Sequence, residues 1–361
     1  MKAWQIDRLG GELRLNDIAV PEVRPGSVLV RVEAQSLMSY LKDYVDGKLP
    51  VYRAPDGNFI PGGNAIGVIE AVGDDVWHLK PGWRVVMSSH LVAQENVPEP
   101  AQILIGVTSA GGVADAVQES WRNGTLAEYV LYPASNVTPL EGLEDFDLPQ
   151  LAVITRCIVP FGGLVRGRLK AGETVIVNGA TGAYGNAAVL VALAMGASRV
   201  VAAGRNKEVL EPLAKAGGPR VVPVELSGDA ASDAASLRAK CGGGAHLAFD
   251  MVGGAKDPNS TLAALGALYR QGRLVLMGSM MAPLPINYML MMFNSLEIIG
   301  NFMYPRDAYL GLLALVRSGR LDLRPIRPRV FSLTALPQAM EYAARAQSME
   351  CVIVTAEARN S

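Results

Sequence analysis

Val175-Ile176-Val177-Asn178-Gly179-Ala180-Thr181-Gly182-Ala183-Tyr184-Gly185 decides how this chain is read. An apolar run ends in glycines at 179, 182 and 185. A helix-like run from Asn186 to Met195 follows, and Gly196 stops it. A second apolar run ends in Ala203-Gly204-Arg205. Strand, glycine turn, helix, strand is the order a dinucleotide site requires. Glycine turns the chain tightly and brings backbone amides close to a pyrophosphate, which rests on the positive end of the helix. Glycine triplets alone are common, so the flanking pattern carries the inference.

From about residue 153 to about 293, strand and helix patterns alternate, as in a parallel sheet with crossover helices. Strands are expected at 174–178, 199–203, 221–224, 245–250, 273–277 and 296–300, and helices at 185–195, 206–216, 230–240 and 259–270. Residues 1–150 read as β-rich. Short runs such as Ser27–Val32 and Ala65–Gly73, bounded by Pro and Gly, suggest a barrel or sandwich. Residues 92–123, punctuated by Pro98, Pro100, Gly106, Gly111 and Gly112, read as an irregular, mobile lobe. The tail carries a helical run at Asp307–Ser318, a short apolar run Val330–Leu333, a helix at 335–346 and a last strand Cys351–Thr355. It is expected to pack back on the N-terminal unit. The expected division is therefore 1–152 with 301–361, and 153–300.

A chain of 361 residues is long enough for two cores. Lys and Arg total 33 against 34 Asp and Glu, a formal charge of -1, so no electrostatic case exists for nucleic acid or an anionic membrane. The N-terminus, Met1–Arg8, meets charge too early for a signal peptide. The longest apolar run, Ala187–Ala197, is too short for a bilayer and is broken by Gly196. Cys157, Cys241 and Cys351 show no paired spacing. They read as ordinary buried thiols of a cytoplasmic protein, not as a structural zinc site.

In a fold of this order an acid about 20 residues past the glycines binds the ribose 2′-hydroxyl of NAD. Here Gly204 is followed by Arg205, with Lys207 nearby. No carboxylate repels a 2′-phosphate and a cation is available for it, which favours NADP(H). The other reading of Arg205 is a solvated residue at a helix start. His246–Gly254 and Leu274–Ser279 read as strands leaving into glycine turns. Ligands of open parallel sheets sit at the carboxyl ends of strands, so Val252, Gly253, Gly278 and Ser279 are expected beside the cofactor, with Asn301 after the last strand. His246 itself reads as a packed core histidine.

Taken together, the pattern resembles the medium-chain dehydrogenase/reductase superfamily over essentially the whole chain. The matching pieces come in family order: Met1-Lys2-Ala3, Pro61–Gly67, Leu79–Val85, Gly124–Val130, the turn 179–185 and Asp250–Gly254. The resemblance implies an α/β architecture in two parts. One is a Rossmann domain with a doubly wound parallel sheet, the other a β-rich GroES-like domain, with the active site in the cleft between them. It implies a small hydrophobic substrate and a homodimer or tetramer. Zinc members place a Cys, a His-Glu pair and a later Cys or Asp where this chain has Met38, Gly63-Asn64 and about Thr155, none of them a good zinc ligand. The lobe after residue 90 lacks the four cysteines of the structural zinc, and His78 and His90 read as surface residues. The resemblance therefore points to the zinc-independent branch of quinone oxidoreductases, enoyl reductases and related carbonyl reductases.

Departures from that branch are also present. Its Asn and Asp become Met38 and Leu41, the tyrosine of enoyl-thioester reductases becomes Leu49, and the Gly-Lys before the last strand becomes Met349-Glu350. Without a metal, hydrogen bonding must polarise the acceptor oxygen and a proton must arrive with the hydride. Tyr40 occupies the place of the zinc enzymes' relay hydroxyl, and a phenol, with an unperturbed pKa of about 10, is protonated at neutral pH. Lys42 and Asp43 are expected to couple it to solvent, and Ser39 and Thr155 are alternatives. The competing view makes Tyr40 a packing residue and water the proton source. Met38, Leu41, Met280, Met281, Met291, Met292, Phe293, Met303 and Tyr304 fall in family segments that line the cleft or subunit interface. Three functions stay open: an NADPH-dependent quinone or enone reductase, a zinc-free alcohol or carbonyl oxidoreductase, and a catalytically idle NADPH-binding protein.

Overall fold

The computed structural model describes residues 1–94, 96–346 and 349–356, and the chain divides into two compact units. The first holds Met1–Thr155, Arg327–Ala346 and the chain from Glu350; the second is Arg156–Ile326 with Met349. Residues 301–326, expected in the first unit, thus fall in the second. Their helix, Ala308–Arg317, buries Tyr309, Leu312, Leu313 and Val316. An apolar helix carries no mark of which sheet it will cover, so the sequence alone misassigned it.

In the second unit six parallel strands form one sheet. Its spatial order is Val221–Glu225, Arg199–Gly204, Thr174–Asn178, Ala245–Asp250, Leu268–Leu276 and Glu297–Gly300. Numbered by sequence that is 3-2-1-4-5-6, the doubly wound Rossmann order. Strands covered on both faces read as unbroken apolar runs. Val175, Ile176 and Val177 and then Val200 to Ala203 are accordingly fully buried. The helix Ala183–Ala194 is apolar on all sides and buries every residue from Gly185 to Ala192, as a helix enclosed by its surroundings must. Side-chain caps start its neighbours: Asn206 accepts from the Val209 amide and Asp229 from the Ser232 amide. The helix expected over 259–270 ends at Gly266, and the chain is already in a strand from Leu268.

The first unit is built on a seven-stranded sheet. Its path runs Val137–Pro139, Arg84–Met87, Ala65–Val72, Ser27–Ser36, Glu350–Thr355 and Arg327–Ser332, and Tyr129–Pro133 also pairs with Ser27–Ser36. Alternate residues Val28, Val30 and Val32 point into a core with Ile69, Val85, Met87, Val130 and Tyr132. The stretch 92–123 is not irregular. His90–Val92, Gln102–Leu104 and Thr108–Ser109 make a three-stranded sheet, the helix Val113–Ser120 follows, and Ile103, Ile105 and Ala114 join the same core.

Two histidine readings reverse. His90 is buried, with Nε2 3.2 Å from Gln102 Oε1, in a strand that pairs with Gln102–Leu104 in the small sheet. His246 is exposed, at a register irregularity between its strand and the neighbouring one. The stretch Leu148–Arg166 is long and apolar enough to cross a bilayer and is mostly buried.

Candidate cofactor and active site

The glycine turn closes between the strand Thr174–Asn178 and the helix Ala183–Ala194. Gly179 takes φ +79°, a left-handed backbone that side chains oppose. A Cβ on Gly185 would lie 2.0 Å from the Gly179 carbonyl oxygen, so the first turn of the helix packs directly on the loop. Gly182, the N-cap, supplies no side-chain acceptor to the first amides of this helix. The positive end of the helix thus opens directly from the glycine turn, which is the arrangement a pyrophosphate needs.

Arg205 stands exposed at the end of the strand Arg199–Gly204, just before the cap Asn206. It makes no ion pair among the described residues. Lys207 lies 3.8 Å from Glu211 one turn further along its own helix, so of the two expected cations Arg205 is the uncommitted one. Val252 follows the strand end at Asp250, and a Cβ on Gly253 would meet Ser279 Oγ at 3.0 Å, so the expected loops 252–253 and 278–279 adjoin. Gly278 and Ser279 are exposed; Asn301 is half-buried, its Nδ2 donating to the Met303 carbonyl at 2.8 Å.

Sequence reasoning missed the polar support beneath this turn. Asn178 and Asp250 end neighbouring parallel strands in register. Asp250 accepts from Asn178 Nδ2 at 3.0 Å, from the Thr261 hydroxyl at 2.5 Å and from the Val252 amide at 2.9 Å. Burial pushes the Asp250 carboxyl above its ordinary value, and these donors pull against that shift. Asn178 Oδ1 is buried with no partner among the described residues. Two polar residues closing two apolar strands were the available signal.

In the first unit, Tyr40 is half-buried and caps the short helix Leu41–Val45. It meets Tyr52, with ring centroids 5.9 Å apart, and Tyr52 in turn meets Tyr44 edge-on at 5.5 Å. Burial raises the Tyr52 phenol, and a hydrogen bond from Tyr40 works against that rise. Tyr44 is fully buried, donates to the Val107 carbonyl at 2.6 Å, and is raised by burial. Lys42 and Asp43 do not serve Tyr40: Lys42 lies 3.2 Å from Asp46 and 3.5 Å from Glu341, and Asp43 lies 3.6 Å from Lys48.

Thr155 is buried. Its hydroxyl is 2.6 Å from Ser36 Oγ and 2.7 Å from the Ala152 carbonyl, with one proton to share. Asn64 Oδ1 accepts from the Ser89 amide (2.7 Å) and hydroxyl (2.9 Å), and Nδ2 donates to the Thr155 carbonyl (3.3 Å). Where a zinc set would stand, the chain thus offers a thioether at Met38, an amide committed at both ends and a hydroxyl. Zinc takes thiolate, imidazole and carboxylate, so this donor set does not fit it. Among the described residues no three His, Cys, Asp or Glu cluster as a metal site.

Of the residues expected at the cleft or interface, Leu41 and Tyr304 are buried, whereas Met281, Met292 and Phe293 are exposed. Glu350, standing where the family keeps a lysine, is buried and holds Arg329 at 2.7 Å and the Tyr342 hydroxyl at 2.9 Å. All three cysteines are buried and none is in a disulfide among the described residues, and burial pushes the Cys241 thiol up to about 12.

The alcohol dehydrogenase GroES-like domain family matches residues 24–142, and the zinc-binding dehydrogenase family matches residues 183–318. An alcohol dehydrogenase of Moraxella sp. (strain TAE123) is 29% identical over 85% of this chain and 86% of its own length. An L-threonine 3-dehydrogenase of Anaeromyxobacter dehalogenans (strain 2CP-C) is 27% identical over 94% of both. The fold is shared with the alcohol dehydrogenase structure from Thermus sp. ATN1, at a TM-score of 0.79 and 24% identity over 99% of this chain and 100% of that one.

Proposed function

The chain belongs to the medium-chain dehydrogenase/reductase superfamily and is an oxidoreductase, and from that premise we propose that it moves hydride between NADP(H) and a hydrophobic quinone or α,β-unsaturated carbonyl compound without a catalytic zinc. One observation carries this reading: the positions of the zinc ligands hold Met38, the doubly committed Asn64 and Thr155. With no Lewis acid, the acceptor oxygen must bear its developing charge on hydrogen bonds alone. An enolate or hydroquinone oxygen is far less basic than an alkoxide, so conjugated acceptors suit such a site.

The cofactor, when bound, supplies the hydride. Its pyrophosphate would rest on the amides that open the helix Ala183–Ala194 and its 2′-phosphate on Arg205. Val252, Gly253, Gly278, Ser279 and Asn301 would line its other edge. Tyr40 holds the proton to be donated, with its hydroxyl oriented by Tyr52. Thr155 is the second donor, oriented by Ser36.

The names of the relatives favour a second reading, oxidation and reduction at an isolated C–O bond. A panel of quinones, enones, aldehydes and ketones with NADPH, run after exhaustive chelation, separates the two. Turnover of quinones and enones that survives chelation supports the proposal; turnover of alcohols or ketones alone supports the second reading. Tight NADPH binding with no turnover would overturn both.

We also propose a homodimer. The helix Tyr288–Asn294 buries none of its residues and exposes Tyr288, Met289, Met292 and Phe293. It leads into the edge strand Glu297–Gly300, whose outer ladder is unpaired among the described residues. A second copy of this chain would cover both, and light scattering would show twice the chain mass.

A further inference from the structure

In the parallel sheet the strands Ala245–Asp250 and Leu268–Leu276 do not pair evenly. Ala245 faces Leu268 and Leu247 faces Arg273, so the four residues Tyr269–Gly272 stand opposite His246 alone. Gln271 in this bulge takes φ +64°, and Arg168 takes φ +55°. Such backbone is uncommon for residues with side chains, and outliers of this kind gather at binding sites. Both residues line one cavity of about 330 Å³. Its wall includes Glu173, just before the strand Thr174–Asn178, and His246, at the start of the next strand. It therefore lies at the amino ends of the strands, whereas the glycine turn at Gly179 lies at their carboxyl ends.

The cavity's charges do not balance. Arg168, Lys170, Arg270 and Arg273 face Glu173 and Glu297. Both carboxylates are engaged, Glu173 with the buried Arg273 at 2.6 Å and Glu297 with Arg168. Among the described residues Lys170 and Arg270 have no carboxylate partner; Arg270 donates one bond, to the Phe293 carbonyl at 3.1 Å, and keeps its other donors. Arg273 is fixed by the Arg168 carbonyl at 2.9 Å as well as by Glu173. His246 Nδ1 accepts from the Thr174 amide at 3.1 Å, which leaves Nε2–H as the neutral ring's donor. The ring stands edge-on to Tyr269, with centroids 5.3 Å apart and planes at 65°, so the pair makes an aromatic corner.

We propose that this cavity binds a small organic phosphate monoester, whose dianion answers Lys170 and Arg270 and whose organic part lies in the corner between His246 and Tyr269. A phosphate ester carries close to two negative charges at neutral pH, matching the two uncommitted cations. The volume is at the lower end of small-molecule sites and exceeds what a bare phosphate needs. Hydride transfer uses the other end of the sheet, so the site stands apart from the cofactor reading.

Calorimetric titration tests this in an Arg205→Ala background, so that phosphate held at the dinucleotide site does not count. The probes are ribose 5-phosphate, inorganic phosphate and succinate. Ribose 5-phosphate should bind tightest, and adding Lys170→Ala with Arg270→Ala should weaken it at least tenfold. Both side chains are exposed, so the variant keeps its fold. Binding of ribose 5-phosphate only without the Arg205→Ala change, affinity unmoved by the double substitution, or equal binding of succinate would each overturn the proposal.

Discussion

Asp250→Asn and Asp250→Ala should behave very differently, because the carboxyl group sits 3% exposed among three donors. Its folded pKa is raised by burial above the unfolded value. The protonated form is therefore favoured by folding: that stabilisation is complete at acid pH and is lost as pH rises through the folded pKa. Above the folded pKa the ionised group is a burden that its donors offset. Asp250→Asn removes the charge and keeps an acceptor for the Val252 amide. Its new amide donor can be met by the orphaned Asn178 Oδ1 once that amide turns over, and the Thr261 hydroxyl can reverse to accept. The expected change at pH 7 is below about 1 kcal/mol, with a flatter stability profile between mildly acid and neutral pH.

Asp250→Ala leaves the Val252 amide and the Thr261 hydroxyl without their acceptor, and Asn178 Nδ2 with only Ser260 Oγ at 3.3 Å. At about 1 kcal/mol or more for each lost bond, that costs at least about 2 kcal/mol. All four tryptophans (Trp4, Trp77, Trp83, Trp121) lie in the first unit, so fluorescence would miss the effect. Urea unfolding should be followed by hydrogen exchange in peptides covering residues 245–278. An asparagine variant as unstable as the alanine variant, or one with a steeper pH profile, would refute the argument.

Gly185→Ala places a Cβ 2.0 Å from the Gly179 carbonyl oxygen and should weaken NADPH at least about tenfold by calorimetry, since the helix end must withdraw from the turn. Tyr44→Phe loses a buried hydrogen bond and strands the Val107 carbonyl. It should cost about 1–2 kcal/mol in urea unfolding, here read by tryptophan fluorescence. Tyr40→Phe should lower kcat about 100-fold with NADPH affinity unchanged if Tyr40 delivers the proton. Full turnover in that variant would refute Tyr40 as the donor and leave the role to Thr155 or water.

The Rossmann unit was legible because its strands are buried on both faces. Val175–Val177 and Val200–Ala203 are unbroken apolar runs, and the expected strands 174–178 and 245–250 match Thr174–Asn178 and Ala245–Asp250. The bulge after Leu268 was not legible: an apolar residue followed by Tyr and Arg continues a helical pattern as well as it starts a strand. The folded sheet within 92–123 escaped for a related reason. Its strands are only two or three residues long, too short for alternation to show. His90 and His246 exchanged roles because burial of a histidine depends on which strands pair beside it.

Around the candidate site, the glycines and Arg205 were readable by spacing. The Tyr40–Tyr52 contact and the Ser36–Thr155 bond were not, since they join residues far apart in sequence. Lys42 and Asp43 looked like partners of Tyr40 by adjacency, yet a helical turn sends them to Asp46, Glu341 and Lys48.

The ratio of dissociation constants for NADPH and NADH, measured in the wild type and in Arg205→Asp, bears on the whole reading. A charge-assisted contact to the 2′-phosphate is worth about 1.5–3 kcal/mol, or roughly 10- to 150-fold. The wild type should prefer NADPH by that order, and Arg205→Asp should erase or reverse the preference. Tighter binding of NADH by the wild type, or a ratio unmoved by the substitution, would contradict it.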